Sequence, residues 1–334
     1  MLASANRRIA NTPATALIRV SLVLVVVACA TESNAAEPVF SRPPNPWAEE
    51  EVWGGCLVDW ADNEWRLFPA DGRRRPQTLF AWPGNERSLV DGQDEGALVS
   101  DRPGFTEATT TVGRGHLQLE SGYTLTRDES SAEAVNSHSF PELLLRLGIA
   151  AEWLELRLGW NSGVDRRQSG NVSSTFDGEK DLYVGLKLAL TEQDGWLPEF
   201  SLLPQMSVPT GSDEYSSHVL MPGCGFLYAW NLNEVFSISG SMQINRVRDD
   251  ADDLYAEIAQ SWSIGYALTD QLAAYTEWFA FFPHNADVAK PRHHFDGGFT
   301  YQFHPNWQVD LWAGMGLNDA ADDFIMGAGT VLRF

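Results

Sequence analysis

The chain has 334 residues and carries 45 acidic side chains against 23 Lys and Arg, which gives a formal net charge of −22. This charge argues against nucleic acid as a partner, because phosphates are bound by Lys and Arg. Apolar residues make up 44% of the chain, an ordinary share for a globular protein. That share also fits a membrane-spanning β-barrel, in which only every second side chain faces lipid.

Residues 1–30 have the features of an export signal. Arg7 and Arg8 supply positive charge, residues 22–28 read LVLVVVA, and Ala28-Cys29-Ala30 is a cleavage pattern. The same stretch resembles a lipoprotein signal with Cys29 as the lipidated residue, so both processing routes stay open. The apolar run is shorter than the about 20 residues of a spanning helix, and no later segment is apolar enough to span as a helix.

Residues 31–100 form a block of a different kind. They are rich in Pro and Gly and hold five tryptophans, from Trp47 to Trp82, without a helical or strand period. We expect an irregular periplasmic extension here. The alternative is a segment that packs on the barrel or plugs it, and the tryptophans support that alternative.

From residue 114 to the end, apolar and polar side chains alternate with period two, which predicts β-strands. In the first segment, for example, Leu117 and Leu119 lie on one face while Gln118 and Glu120 lie on the other. Twelve such segments are predicted, each long enough to cross a membrane when tilted: 114–126, 139–150, 152–162, 178–190, 199–209, 218–230, 234–245, 254–267, 271–282, 293–303, 306–317 and 323–334. The predicted fold is therefore all-β, a closed antiparallel transmembrane barrel over residues 101–334.

Three patterns favour a membrane barrel over a soluble β-sandwich. Long polar linkers alternate with short turns, which is typical of outer-membrane barrels; the long ones are 127–138, 161–177, 209–217, 245–252, 283–291 and 318–322. Aromatic residues lie near predicted strand ends, as in a membrane girdle: Trp160, Trp230, Tyr266, Phe303, Trp307 and Phe334. The polar face carries charges next to many glycines, which fits a wet or ion-paired lumen: Glu120, Arg146, Glu155, Arg157, Lys187, Glu277, Asp296 and Asp310.

A few positions depart from the simple pattern. Pro204 and Pro222 lie inside predicted strands, where a bulge or a shifted boundary is expected because Pro has no N–H for the ladder. Gln260 falls on the lipid face. The alternation continues to Phe334, and a terminal aromatic on a last amphipathic strand resembles the signal for the barrel-assembly machinery.

Two short motifs resemble a known family. They are Asp101-Arg102-Pro103-Gly104-Phe105-Thr106-Glu107, followed by Gln118-Leu119-Glu120-Ser121-Gly122, and Pro209-Thr210-Gly211 at the outer end of a strand. Residues 101–334 resemble the MetA-pathway phenol-degradation family of outer-membrane, transporter-like barrels. The resemblance implies a barrel that moves small molecules, aromatic ones among them.

The opening motif and the lumen charges each allow two roles. Pro103-Gly104 predicts a turn, and Asp101 and Arg102 are expected to pair. The segment either lines the periplasmic mouth or ties the first strand to the barrel floor, and we favour the second role. The eight charges of the polar face either set selectivity for ions and solutes or fill the interior as ion pairs.

We expect a passive outer-membrane channel for small solutes, aromatic or hydrophobic ones included, in a diderm bacterium. The expected partners are outer-membrane lipid, the small solute and, through Phe334, the assembly machinery, with no cofactor and no metal. The alternatives are a closed structural or surface-binding barrel and, less favoured, a lipid hydrolase. Ser139 with His138 and Ser217 with His218 are the hydrolase candidates, but no G-x-S-x-G elbow is present.

Overall fold

The computed structural model describes residues 58–59, 64–65, 74–91, 97–130, 133–249 and 253–334. The predicted signal peptide, residues 1–30, and most of the predicted extension up to residue 73 lie outside the described residues. Residues 74–334 contain the barrel and the segment that immediately precedes it.

Two short hairpin strands precede the barrel, β3 (Arg74–Pro76) and β4 (Leu89–Asp91), after β1 (Val58–Asp59) and β2 (Glu64–Trp65). The barrel strands are β5 (Leu117–Glu129), β6 (Ala134–Gly148), β7 (Leu154–Ser169), β9 (Leu182–Thr191), β10 (Glu199–Val208), β11 (Met221–Asn231), β12 (Phe236–Arg248), β13 (Leu254–Ala267), β14 (Leu272–His284), β15 (Arg292–His304), β16 (Trp307–Gly316) and β17 (Phe324–Arg333). β8 (Val172–Glu179) precedes β9 and pairs with the far half of β7. The described residues contain no helix with the length and hydropathy to cross a membrane.

Twelve antiparallel strands close into a barrel, as predicted. β5 pairs with β6 on one side and with β17 on the other, where Leu119 lies opposite Leu332. β7 pairs with both β6 and β9, so the ring has no free edge. Closure is required of strands in lipid, because lipid offers no partners for unpaired N–H and C=O groups.

Connections of two lengths define the two ends of the barrel. We call the end with residues 149–153, 192–198, 232–235, 268–271 and 305–306 the turn end. The opposite end, the loop end, carries the remaining connections, and there two predicted linkers are wrong. Much of 127–138 and 161–177 is strand, because β5 pairs with β6 and β7 with β8 beyond the predicted boundaries. As a result, Trp160 lies in the middle of β7 rather than at its end.

The first barrel strand begins at Leu117 and not at residue 114. Gly113 and Gly115 have φ angles of +79° and +88°, which L side chains rarely adopt. The chain therefore turns just before β5, and the residues ahead of this turn are directed away from the sheet.

The two prolines leave the β10–β11 pairing unshifted, so no bulge forms there, but β11 begins at Met221 rather than at residue 218, which is the shifted boundary expected at Pro222. Pro204 lies opposite Cys224 and Pro222 opposite Met206 in one unbroken register. Each Pro lacks only one backbone N–H for hydrogen bonding to the neighbouring strand, and the residue pairs on either side of it are kept. The register shifts instead beside Gly122 on β5 and between Ser139 and Glu142 on β6.

The two faces of the barrel differ as the alternation predicts. Apolar side chains on the outer face remain exposed, among them Phe299 at 56% and Leu311 at 58%. Aromatic rings gather at the turn end, where Phe303 stacks on Trp307 at 4.9 Å between ring centroids. Gln260 on this face donates to the Tyr228 hydroxyl at 2.6 Å, which satisfies the one amide that the pattern left unexplained.

The segment before the barrel packs at the turn end. The N–H groups of Leu79 and Phe80 donate to the carbonyls of Ala189 and Leu190 at 2.9 and 2.7 Å. Trp82 donates to the Glu192 carbonyl at 2.9 Å, and its ring lies against Phe200.

Candidate functional site

Residues 97–116, which we call the inner segment, lie inside the barrel. Their backbone bonds inner-face side chains of strands on several sides: Gln118 on β5 donates to the Val99 carbonyl at 3.0 Å, and Ser201 on β10 donates to the Thr109 carbonyl. Asp101, Thr109 and His116 are buried. The lumen is thus occupied by the inner segment as well as by side chains of the barrel strands.

Asp101 binds a basic wall formed by Arg146 on β6, Arg157 on β7 and Lys187 on β9. Its carboxylate lies 3.2 Å from Arg146, 2.5 Å from Arg157 and 3.0 Å from Lys187. The same carboxylate accepts the N–H of Ala108 at 2.8 Å, which closes the inner segment into a loop. One buried anion therefore joins three strands to the inner segment.

Burial disfavours the ionised form of Asp101, yet the positive charges of Arg146, Arg157 and Lys187 outweigh it and hold the pKa of this carboxyl well below its usual range. Glu107 lies 3.3 Å from Arg157. Burial raises the pKa of Glu107, and the nearby charge of Asp101 adds to the increase although Arg157 opposes it.

Arg102 binds a separate pair of acidic side chains. Its guanidinium makes two bonds to Asp310 on β16, at 3.1 and 3.2 Å, and one to Glu142 on β6 at 3.4 Å. Gly122 on β5 and Gly329 on β17 face each other beneath it, and a Cβ at either position would collide with the guanidinium. Asp101 and Arg102, which we expected to pair with each other, instead bind different side chains: Asp101 reaches β6, β7 and β9, and Arg102 reaches β6 and β16.

The next turn of the inner segment is held by Glu277 on β14. The two oxygens of this carboxylate accept the N–H groups of Phe105 at 2.6 Å and Thr106 at 2.7 Å. Phe105 stacks on Phe279 at 4.9 Å between centroids and meets the ring of Phe281 edge-on at 5.3 Å. An aromatic cluster therefore lies inside the lumen beside the charged groups.

The end of the inner segment is fixed to β6 and β7. Glu155 accepts the N–H of Val112 at 2.8 Å and also binds Arg146 at 2.8 Å. Arg146 donates further to the Thr110 carbonyl at 3.1 Å and pairs with Glu120 at 3.1 Å. These contacts bring the chain to the turn that precedes β5.

All eight charges predicted on the polar face lie on the inner face, and none is more than 5% exposed: Glu120, Arg146, Glu155, Arg157, Lys187, Glu277, Asp296 and Asp310. The sequence did not show that most of them bind the inner segment. It also missed Phe279 and Phe281, because the run Phe279–Phe282 contains no polar residue that marks a face. The spacing of Gly122 and Gly329 in their own strands gave no signal, because they meet only when the barrel closes.

The second motif lies at the loop end. Asp181, between β8 and β9, accepts the N–H of Gly211 at 3.0 Å and both the N–H and hydroxyl of Ser217, at 2.9 and 2.6 Å. Thr210 accepts the N–H of Leu182 at 3.1 Å. These bonds hold the 209–220 connection against β7 and β8, where the Tyr215 hydroxyl donates to the Phe176 carbonyl at 3.3 Å.

A closed barrel with twelve strands, an apolar outer face, a girdle and a charged interior defines an integral outer-membrane protein. The chain belongs to the family described as "Putative MetA-pathway of phenol degradation", which it matches over residues 100–334. This confirms the family to which the two motifs pointed.

The fold is similar to that of the COG4313 outer membrane channel from Pseudomonas putida F1, with 14% identity, a TM-score of 0.56, and coverage of 70% of this chain and 99% of that one. The NanC porin is also similar at 13% identity, 65% and 100% coverage and a TM-score of 0.41. The translocator domain of the autotransporter NalP from Neisseria meningitidis follows at 10% identity, 65% and 88% coverage and a TM-score of 0.46. No curated protein matches the chain in sequence.

Proposed function

We propose that this protein is an outer-membrane channel for small solutes whose passage is controlled by the inner segment. One observation carries the proposal: the adjacent residues Asp101 and Arg102 hold the inner segment in the lumen by ion pairs to strands from β9 round to β16. A barrel of twelve strands is wider than the eight-stranded barrels that side chains alone fill, so a segment inside it determines whether a water path remains. The description of the Pseudomonas putida F1 relative as a channel supports the same role.

The aromatic cluster supports small solutes with apolar or aromatic surface as cargo. Phe105 belongs to the inner segment, whereas Phe279 and Phe281 belong to β14. When the inner segment moves, Phe279 loses the Phe105 ring stacked on it and Phe281 loses its edge-on contact, so both rings become available to a passing solute. The family description, which names phenol degradation, points to the same class of solute.

The lumen charges act as ion-paired filling while the inner segment is docked. Arg146, Arg157 and Lys187 are each within hydrogen-bond distance of a carboxylate and are at most 1% exposed. They face a water path, and so contribute to selectivity, only after Asp101 leaves. Both roles weighed for these residues therefore apply, each in a different position of the inner segment.

The second candidate is a closed barrel in which the same network holds the inner segment permanently. The hydrolase alternative has weaker support among the described contacts. The Ser139 hydroxyl donates to the Ser162 carbonyl and that of Ser217 binds Asp181, whereas the His138 ring bonds Tyr123. In both pairs, the serine is thus engaged away from the neighbouring histidine ring. Recognition of Phe334 by the assembly machinery remains part of the proposal.

A reducible disulfide between the inner segment and β13 tests the channel directly. The Thr106 and Ser261 hydroxyl oxygens lie 2.6 Å apart, so Thr106→Cys with Ser261→Cys places two thiols where a disulfide can form. We expect the oxidised double variant to lose discrete conductance steps in planar bilayers and to regain them on reduction. The two single-Cys variants are the controls and should not respond to the reductant.

Each outcome of this experiment decides between the candidates. Equal conductance of the oxidised and reduced forms would show that the inner segment does not control passage. Absence of conductance in the wild type and in the reduced double variant would favour the closed barrel.

A further inference from the structure

Four polar side chains on the inner faces of β14, β15 and β16 have a buried atom with no hydrogen-bond partner among the described residues. These atoms are the Tyr275 hydroxyl, His294 Nδ1, Asp296 Oδ1 and Trp312 Nε1. The three strands are neighbours, and the four residues occupy successive inner-face positions. Because buried polar atoms are as a rule hydrogen-bonded, water or a solute must supply their partners.

Asp296 is the centre of this group and lacks a compensating cation among the described residues. It is 3% exposed and lies directly opposite Glu277. Both Glu277 oxygens already accept N–H groups of the inner segment, and Asp310 on the next strand is bound by Arg102. A buried ionised carboxylate without a partner is costly, and that cost is removed either by a bound proton or by a cation that enters from solution.

Aromatic rings border Asp296 on both sides along the strand. Towards the loop end, His294 stacks on Phe279 at 4.7 Å and an interplanar angle of 7°. Towards the turn end, the Tyr275 ring lies over Gly298, where a Cβ would lie 2.9 Å from it, whereas the Trp312 ring lies over Gly327 on β17. Aromatic rings stabilise organic cations.

The position is also enclosed by two other parts of the chain. Gly104 of the inner segment lies against Glu277 and Tyr275 on one side. On the other side, the 317–323 connection covers Gly316, and its Asp322 lies 3.8 Å from His294. A solute held here would contact the inner segment and the loop end together.

We propose that Asp296, with Tyr275 and His294 beside it, is a binding site for a small organic ammonium cation within the lumen. A metal ion would require several free oxygen ligands, whereas both Glu277 oxygens are occupied by N–H groups. An ammonium group needs one carboxylate oxygen and one hydroxyl as acceptors, and its carbon substituents suit the surrounding rings. The inference rests on the proposed channel and names a class of solute for it.

The test is titration calorimetry of the full chain in detergent with ethylammonium chloride, against potassium chloride as the matched salt. We expect saturable binding of ethylammonium and at least tenfold weaker binding in Asp296→Asn, which keeps the shape and removes the charge. Asp287→Asn, an exposed acid in the connection after β14, is the matched control and should bind as the wild type does. Each protein is measured with and without Asp101→Asn, which loosens the inner segment and opens access.

Absence of saturable ethylammonium binding in both backgrounds would overturn the site, as would equal affinity of Asp296→Asn and the wild type. Binding that potassium matches at the same concentrations would overturn the organic ammonium class. Bilayer conductance is measured separately, so failure of this site and failure of the channel are distinguishable.

Discussion

Replacement of Asp101 by Asn should release the inner segment. The substitution keeps the size of the side chain and its acceptor for the Ala108 N–H, but it removes the negative charge that Arg146, Arg157 and Lys187 share. Among the described contacts, Arg146 keeps Glu120 and Glu155, and Arg157 keeps Glu107 and Glu155. Lys187 keeps only the Ala108 carbonyl, at 2.7 Å.

The free-energy cost of the substitution follows from the charge of Lys187, which loses its carboxylate partner. Breaking a buried ion pair by removing one partner costs about 3–5 kcal/mol. We expect the lower end, about 3 kcal/mol, because Glu107, Glu120 and Glu155 remain near the three cations. The docking equilibrium of the inner segment should therefore shift by roughly a hundredfold towards release.

Hydrogen exchange and conductance report this shift independently. The amides of Phe105, Thr106 and Val112, which donate to carboxylates, should exchange roughly a hundredfold faster in the variant. Channel openings in bilayers should become more frequent, while circular dichroism shows an unchanged barrel. Asp319→Asn, an exposed acid at the loop end, is the control. Exchange and conductance like those of the wild type would refute the claim that Asp101 holds the inner segment.

Three further predictions concern other contacts. Gly329→Ala should displace the Arg102 guanidinium and speed exchange of the inner segment, because the new Cβ occupies its slot. Asp181→Asn should weaken the charge-assisted bonds from Gly211 and Ser217 by about 1–3 kcal/mol and make the 209–220 connection more sensitive to added protease, with the barrel intact. Conductance should not rise between about pH 7 and about pH 5. The lowered pKa of Asp101 keeps its contribution to docking until far more acidic pH, and the raised pKa of Glu107 makes docking more favourable as protons bind.

Each of these has a contradicting result. If Gly329→Ala leaves exchange of the inner segment unchanged, Gly329 does not determine where Arg102 lies. Gly225→Ala, on the inner face of β11 where a Cβ would make only ordinary contacts, is its matched control. Protease cleavage of Asp181→Asn at the wild-type rate would show that the loop is held by other contacts. Conductance that increases as the pH falls through this range would mean that a group other than Asp101 controls docking.

The barrel could be predicted from the amino-acid sequence alone. Period-two alternation is a local property, and it places Leu117 and Leu119 on one face and Gln118 and Glu120 on the other without knowledge of any neighbour. The number of strands, the closed fold and the inward direction of the eight charges follow from such local patterns, whereas the family was indicated by the resemblance of two short motifs. The boundaries near 127–138 and 161–177 were wrong because polar hairpins can extend beyond lipid wherever two strands continue to pair.

The contacts of the interior depend on the tertiary structure. Asp101 and Arg102 are neighbours in the chain, but their partners Lys187 and Asp310 lie 86 and 208 residues away. Gly122 and Gly329 form one slot because the first and last barrel strands pair. Such contacts require ring closure, which brings distant strands around one lumen, whereas local alternation indicates only the face of a residue and not what it meets there.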